Sequence, residues 1–302
     1  MNGFYSIKEV IDQYIAGCKI KVEQSMERIL GKAILAGAMI GMGAAAGSVA
    51  AHMIPNVGLA RLVAGLVFPV GLMMVILLGA ELFTGDCLMA MSLTAGKQKN
   101  MDVTRVLVMV YLGNAIGAIA LATLISMSGQ LNYSDGMLGA YTIKVALGKV
   151  NLSVMECLVS GILCNILVCA AVLMAMCAKD ITGKLVAIFF TILLFVTAGF
   201  EHCVANMYYL TAGLIAKQNP AFLSQAMEQY GYTEKQLQAL NIGNAVVANL
   251  IPVTIGNILG GIFFLGIPLY YLHKQEVRRN IKTKEERNHD GVYSRDIPGT
   301  IH

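Results

Sequence analysis

Apolar residues in this chain neither alternate nor keep to one helical face; they run in long blocks separated by short polar joints. Four blocks have the length of an ordinary bilayer-crossing helix, about 20 residues or somewhat more: Ile29–Met53, Val103–Met127, Val154–Ala178 and Ala245–Leu272. Two blocks are longer. Leu59–Ala95 has 37 residues and is interrupted by Glu81 and Asp86; Leu185–Ala216 has 32 and is interrupted by Glu201 and His202. Each is too long for one straight crossing and too short for two. Each also carries ionisable groups well inside, where exposure to lipid costs several kcal/mol. Both facts predict a crossing built from two half-helices joined by irregular backbone, which survives at membrane depth only inside protein or beside a cavity. The expected fold is an all-α polytopic membrane protein: an N-terminal arm over 1–28, a transmembrane domain over 29–272, and a basic tail over 273–302. The segment Gln218–Asn241, which contains Pro220, is expected to be an outer loop with a short surface helix.

Composition agrees with the pattern and excludes much. Of 302 residues, 57% are hydrophobic and 13% charged, about half the charge of a soluble domain. A disordered chain, a nucleic-acid module and most soluble enzymes are excluded on that ground. The 31 Gly and 18 Met suit closely packed membrane helices. All but five of the 22 Lys and Arg (Arg61, Lys144, Lys149, Lys217 and Lys235) lie on one side of the six expected crossings. By the positive-inside bias both termini are cytoplasmic, in a multi-pass protein of the cell membrane. Arg278, Arg279, Lys282 and Lys284 make the tail an orienting, solvated segment able to meet anionic lipid. Glu9 and Asp12 argue against a cleavable leader. The seven Cys show no C-x-x-C spacing, so they read as small buried hydrophobes, with no metal or other cofactor.

The blocks repeat. Gly113-Asn-Ala-Ile-Gly117 in the third crossing matches Gly256-Asn-Ile-Leu-Gly260 in the sixth. Glu81 and its surroundings in the second match Glu201 in the fifth, and Gly37 in the first matches Gly161 in the fourth. The separations are 143, 120 and 124 residues. Their shared order predicts two three-helix units, and because three is odd the second is inverted. The broken helix is the middle member of each, so two interrupted backbones face each other near the midplane, the usual place of a solute path.

Thr84 stands where the second half-helix of the first break begins, beside unpaired amide groups. A half-helix start aimed inward favours an anion or a polar solute. His202 is at the second break, deep within its crossing; an unperturbed histidine titrates near about 6.5 and offers a proton in the physiological range. Glu81 and Glu201 are expected to fix loop backbone through hydrogen bonds. Phe68, Leu72 and Leu82 flank the first break and Phe195 the second; facing one another they form dry constrictions that stop hydrated ions. Lys149, just outside the fourth crossing, is placed to attract anions. Asn165, inside the fourth, needs a hydrogen-bond partner and is placed to orient His202.

These residues resemble the formate/nitrite transporter family. Ile76-Leu-Leu-Gly-Ala-Glu-Leu-Phe-Thr-Gly85 is similar to its first signature, Gly161-Ile-Leu-Cys-Asn-Ile-Leu-Val-Cys169 to its second, and Gly199-Phe-Glu-His-Cys-Val-Ala-Asn-Met207 to its central-histidine segment. The likeness runs from about Gly31 to Leu272, with Ala170 and Asp86 as departures. It implies an aquaporin-like protomer in a homopentamer, one solute path per protomer, and small monovalent anions (formate, nitrite, hydrosulfide) as substrates. It matches His202 to the central histidine, Thr84 to the threonine beside it, Phe68, Leu72, Leu82 and Phe195 to the constrictions, and Lys149 and Asn165 to polar positions near the pore.

The expected function is transport of a small monovalent anion, formate favoured, with His202 assisting proton-linked passage. Partners are the anion, protons, the bilayer and copies of the chain, with no nucleic acid. Nitrite or hydrosulfide through the same pore is the alternative. A neutral-solute aquaglyceroporin-like channel finds no paired Asn-Pro-Ala motif, and a membrane sensor acting through its tail is a further rival. Enzymatic activity is not expected: the chain shows no metal-ligand cluster, no nucleophile–base pair and no nucleotide loop.

Overall fold

Each apolar block becomes helix because a backbone in hydrocarbon must satisfy its own hydrogen bonds. A computed structural model describes residues 3–273. The helices, in order, are α1 (Ile7–Glu23), α2 (Met26–Ala51), α3 (Val57–Leu77), α4 (residues 83–94, with a 3-10 turn at Cys87–Met89) and α5 (Asn100–Met127). They continue with α6 (Met137–Val150), α7 (Val154–Cys177), α8 (Ile181–Ala198) and α9 (Cys203–Ala216). The last are α10 (Pro220–Tyr230), α11 (Glu234–Gln238) and α12 (Ile242–His273). Six of them, α2, α3, α5, α7, α8 and α12, are long and apolar enough to cross a membrane, and the protein is a multi-pass membrane protein. Large apolar side chains such as Leu112, Ile116, Phe190, Phe263 and Phe264 point outward, the arrangement lipid or a neighbouring subunit requires and water penalises.

Caps mark where polar joints meet apolar helix. Ser153 and Glu156 form a reciprocal capping box at the start of α7, Asp180 caps α8 and Asn56 caps α3. Both breaks fall where the sequence places them, at residues 78–82 and 199–202. Each contains a glycine with positive φ, Gly79 at +68° and Gly199 at +74°, a backbone that only glycine adopts at little cost. The arms are unequal, contrary to the expected halves: α3 and α8 have 21 and 18 residues, α9 has 14. Phe68 and Pro69 also interrupt the regular helix of α3, between Val57–Val67 and Val70–Leu77.

The repeat is visible in the packing. In the first unit α2 lies against α5 so closely that a Cβ on Gly37 would stand 2.1 Å from the Asn114 carbonyl oxygen, and one on Gly117 would stand 1.9 Å from that of Ile34. In the second unit α7 meets α12 in the same way: Gly161 abuts the Val253 carbonyl and Gly260 that of Ile162, at 2.8 and 2.3 Å. These are small-residue faces that let helix backbones touch.

Two parts carry helices that the sequence pattern alone does not single out. In the N-terminal arm Ser6 and Glu9 cap α1, and its Val10, Ile11, Tyr14 and Cys18 are buried in the main core. Residues 137–150 form α6, which packs with α9 and α10 as a second buried cluster. The outer segment after α9 holds two helices, α10 and α11. The basic tail, with Arg278, Arg279, Lys282 and Lys284, lies outside the described residues.

Candidate functional site

Two buried asparagines make the breaks possible. Interrupted backbone inside a membrane domain needs partners for its N–H and C=O groups. Asn114 of α5 accepts from the Phe83 N–H at 2.9 Å and donates to the carbonyls of Glu81 and Ala33 at 3.0 and 2.7 Å. Asn257 of α12 repeats every contact: it accepts from the Cys203 N–H at 2.9 Å and donates to the carbonyls of Glu201 and Gly161 at 3.0 and 2.8 Å. Both asparagines are fully buried. They are the shared asparagine of the two G-N-x-x-G motifs. The sequence shows them as repeat markers, but their role needs the neighbouring loop in view.

Thr84 and His202 meet between the two half-helix starts. His202 caps α9: the Ala205 N–H donates to Nδ1 at 3.1 Å. That nitrogen is therefore the acceptor of a neutral ring, and the ring proton sits on Nε2. Nε2–H then donates to Thr84 Oγ1 at 2.9 Å, which leaves the threonine hydroxyl its own proton to give to another acceptor. Both residues are buried. Asn165 does not touch His202 directly; its amide donates to the carbonyls of Thr84, at 3.1 Å, and Asn257, at 2.6 Å. It thus ties the Thr84 turn to the second break and orients His202 only through Thr84.

Apolar side chains bracket this pair. The Phe68 and Phe195 rings meet edge to face, centroids 5.5 Å apart, and Phe195 lies 6.0 Å from the His202 ring. Both phenylalanines also line a cavity of about 1030 Å³ whose charged border is Arg61, Lys144, Lys149, Glu156 and Glu201. That cavity reaches the phenylalanines but not His202. Leu72 and Leu82 are buried away from the cavity lining, and Leu82 occupies in the first break the place of His202 in the second, directly before the half-helix.

Charge beside the breaks is paired. Lys149 contacts Glu201 at 2.9 Å and lies 5.1 Å over the Tyr209 ring. The same carboxylate accepts from Asn206 at 2.6 Å and Asn249 at 3.4 Å. On the first break Glu81 meets Lys21 of α1 at 2.5 Å and Lys32 of α2 at 3.7 Å, and Asp86 also meets Lys21, at 2.5 Å. Glu81 and Glu201 therefore bind lysine and asparagine side chains, while the loop backbone they were expected to hold is held by Asn114 and Asn257. The reason is chemical. A carboxylate only accepts, whereas an amide accepts and donates, and a broken backbone presents both kinds of group.

Of the ten expected residues, Thr84 meets His202 and Asn165, Lys149 meets Glu201, and Phe195 packs with Phe68 and His202, while the side chains of Leu72, Leu82 and Glu81 meet none of the other nine by hydrogen bond, ion pair or ring packing. Residues missed in the sequence are Asn114, Asn257, Asn206, Asn249 and Lys21. The recurrence of G-N-x-x-G was the available signal for the first two. The apolar spacing Val10, Ile11, Tyr14, Cys18 was the signal that Lys21 belongs to a packed helix. Asn249 sits in a π-helical turn of α12, Ala245–Leu250, a local widening for which one sequence gives no sign.

Comparison with known proteins gives one answer. The family pattern described as Formate/nitrite transporter matches residues 8–271. The formate channel FocA of Haemophilus influenzae is 39% identical over 219 residues, covering 72% of this chain and 76% of that protein. The formate-nitrite transporter of Plasmodium falciparum is 30% identical over 284 residues, 89% and 85% of the two chains. A solved pentameric formate channel with formate bound superposes with a TM-score of 0.73 at 31% identity, over 82% of this chain and 97% of that one. With the motifs, the two breaks and the inverted units all agreeing, the chain belongs to the formate/nitrite transporter family.

Proposed function

We propose that this protein carries small monovalent anions, formate foremost, across the cell membrane, through one path in each protomer of a pentamer whose termini face the cytoplasm. The observation that carries the reading is the Thr84–His202 hydrogen bond, 2.9 Å long and buried between two half-helix starts, with Phe68 and Phe195 between it and a wide cavity that Arg61, Lys144 and Lys149 border. The cavity serves as an outer vestibule in which Arg61, Lys144 and Lys149 raise the local anion concentration. At Phe68 and Phe195 the anion sheds water, which excludes larger hydrated ions. It then meets the Thr84 hydroxyl, the donor that His202 leaves available.

The same geometry supports a proton-linked passage. When Nδ1 turns away from the Ala205 amide it takes up a proton. The Nε2 proton then passes to Thr84 as Thr84 passes its own to the anion. The anion leaves as its neutral acid, which crosses the apolar gap at Leu72 and Leu82 at far lower cost than a bare charge. Glu201 balances Lys149, so the lysine draws an anion without trapping it.

The test is uptake of formate, nitrite and hydrosulfide into proteoliposomes, with and without an inward proton gradient. Formate uptake that rises with the gradient is the expected result. Uptake of nitrite or hydrosulfide in preference to formate changes the substrate, and no uptake of any of the three overturns the transport reading.

A further inference from the structure

The cavity is far larger than a formate ion. At about 1030 Å³ it has the size of a pocket for a molecule with a ring, while the edge-to-face contact of Phe68 with Phe195 leaves no room for a ring between them. Tyr141, Lys144 and Gly148 fall at helical spacing on one stripe of α6, and all three line the cavity. Lys144 Nζ lies 4.4 Å from the centre of the Tyr230 ring of α10 and 5.8 Å from that of Tyr141. Burial raises the pKa of the Tyr141 phenol and the Arg61 charge opposes that rise, which places the guanidinium near the same ring. Arg61 donates to the Ala198 carbonyl at 3.3 Å. Neither Arg61 nor Lys144 has a carboxylate partner among the described residues. The two carboxylates on the border are engaged elsewhere: Glu201 holds Lys149 at 2.9 Å, and Glu156 accepts from the Ser153 N–H at 2.8 Å. Gly148, unlike the glycines where helices touch, has open space where a Cβ would stand. The wall one turn from Lys144 is therefore bare.

We infer that this wall is a binding site for an aromatic monoanion, an arene carboxylate or sulfonate: its charge seats on Lys144 and Arg61, its ring lies against Tyr141 and Tyr230 over Gly148, and it plugs the vestibule without passing the phenylalanines. A cation held over aromatic faces is oriented by them and keeps its full charge for an anion. Phenol rings on the same wall offer a stacking surface to an aryl group. With three cations to two carboxylates on its border, the cavity favours one negative charge. Formate has the charge without the ring, so it makes only the first of these contacts and moves on. The binding site stands apart from the transport reading, and its effect on flux rests on that reading.

The probe is labelled benzenesulfonate, which stays ionised and does not cross a bilayer as a neutral acid. Equilibrium dialysis against the purified full chain is expected to show saturable binding, one molecule per protomer. Methanesulfonate, which lacks the ring, and benzenesulfonamide, which lacks the charge, are each expected to compete about tenfold less well. In sealed membranes of both orientations, told apart by protease access to a terminal tag, benzenesulfonate is expected to raise the half-saturating formate concentration only from the face away from the termini. Y230L is expected to weaken binding about tenfold, the order of one lost aromatic contact, and to leave formate half-saturation unchanged. G148L fills the bare wall and is expected to abolish binding while formate uptake persists. Should G148L assemble poorly on size-exclusion chromatography, Y230L decides. Absence of saturable binding overturns the inference, as does binding that Y230L and G148L leave unaltered, or equal inhibition from both faces. Wild-type protein that binds benzenesulfonate but passes no formate overturns the transport reading and leaves the binding site standing; protein that passes formate without binding the probe does the reverse.

Discussion

His202 performs two tasks with its two ring nitrogens, and this makes it separable by mutation. Nδ1 caps α9 and Nε2 holds Thr84. An asparagine accepts the cap bond but carries no exchangeable ring proton. H202N is therefore expected to assemble normally and to lose the rise in formate uptake with an inward proton gradient, read in proteoliposomes. H202A loses the cap as well and is expected to melt lower, by about 1 kcal/mol, in detergent unfolding. Thr84 is legible at this scale because a hydroxyl at a half-helix start has a recognisable purpose. The tautomer of His202 is not, since it is fixed by an amide three residues away and a hydroxyl 118 residues away.

Helices and loops here depend on contacts whose partners are distant in sequence. Each of Asn114 and Asn257 makes three buried hydrogen bonds to a break and a neighbouring helix. Replacing either with leucine leaves those backbone groups unpaired, at roughly 1–3 kcal/mol for each group that finds no substitute. N114L and N257L are expected to lose several kcal/mol of stability and most transport, seen as a lowered unfolding midpoint and reduced flux in reconstituted protein. G117A drives a methyl group to 1.9 Å from the Ile34 carbonyl oxygen, so α2 and α5 must part. Loss of folded protein on size-exclusion chromatography is the expected outcome, whereas G148A, with open space around its Cβ position, is expected to be tolerated. K21M leaves Glu81 with only the looser Lys32 and Asp86 without its lysine. A destabilisation of about 3 kcal/mol is expected, the lower end for breaking a buried pair.

At the scale of the molecule, two units of three helices face one another in opposite senses, and six crossings predict that the two termini share one side. Reporters fused to the two termini are expected to give the same cytoplasmic signal, and native mass spectrometry of the purified protein is expected to give a pentamer. Opposite reporter signals would contradict the even number of crossings. The inversion also explains why the two ionic clusters lie toward opposite faces, with Lys21 on the arm beside the first break and Lys149 at the vestibule beside the second.

The sequence by itself determined the six crossings, the two breaks and the repeat, because hydrocarbon leaves the backbone few choices and penalises every polar residue that lacks a reason to be there. Glu81, Asp86, Glu201 and His202 announced the site through that penalty alone. Only the tertiary structure decided how those groups are used: that asparagines rather than glutamates hold the loops, that α1 belongs to the core, and that Thr84 and His202 share one proton contact. Those outcomes depend on which side chains meet across 31 to 118 residues of chain, and hydrophobic pattern specifies what must be buried without specifying against what.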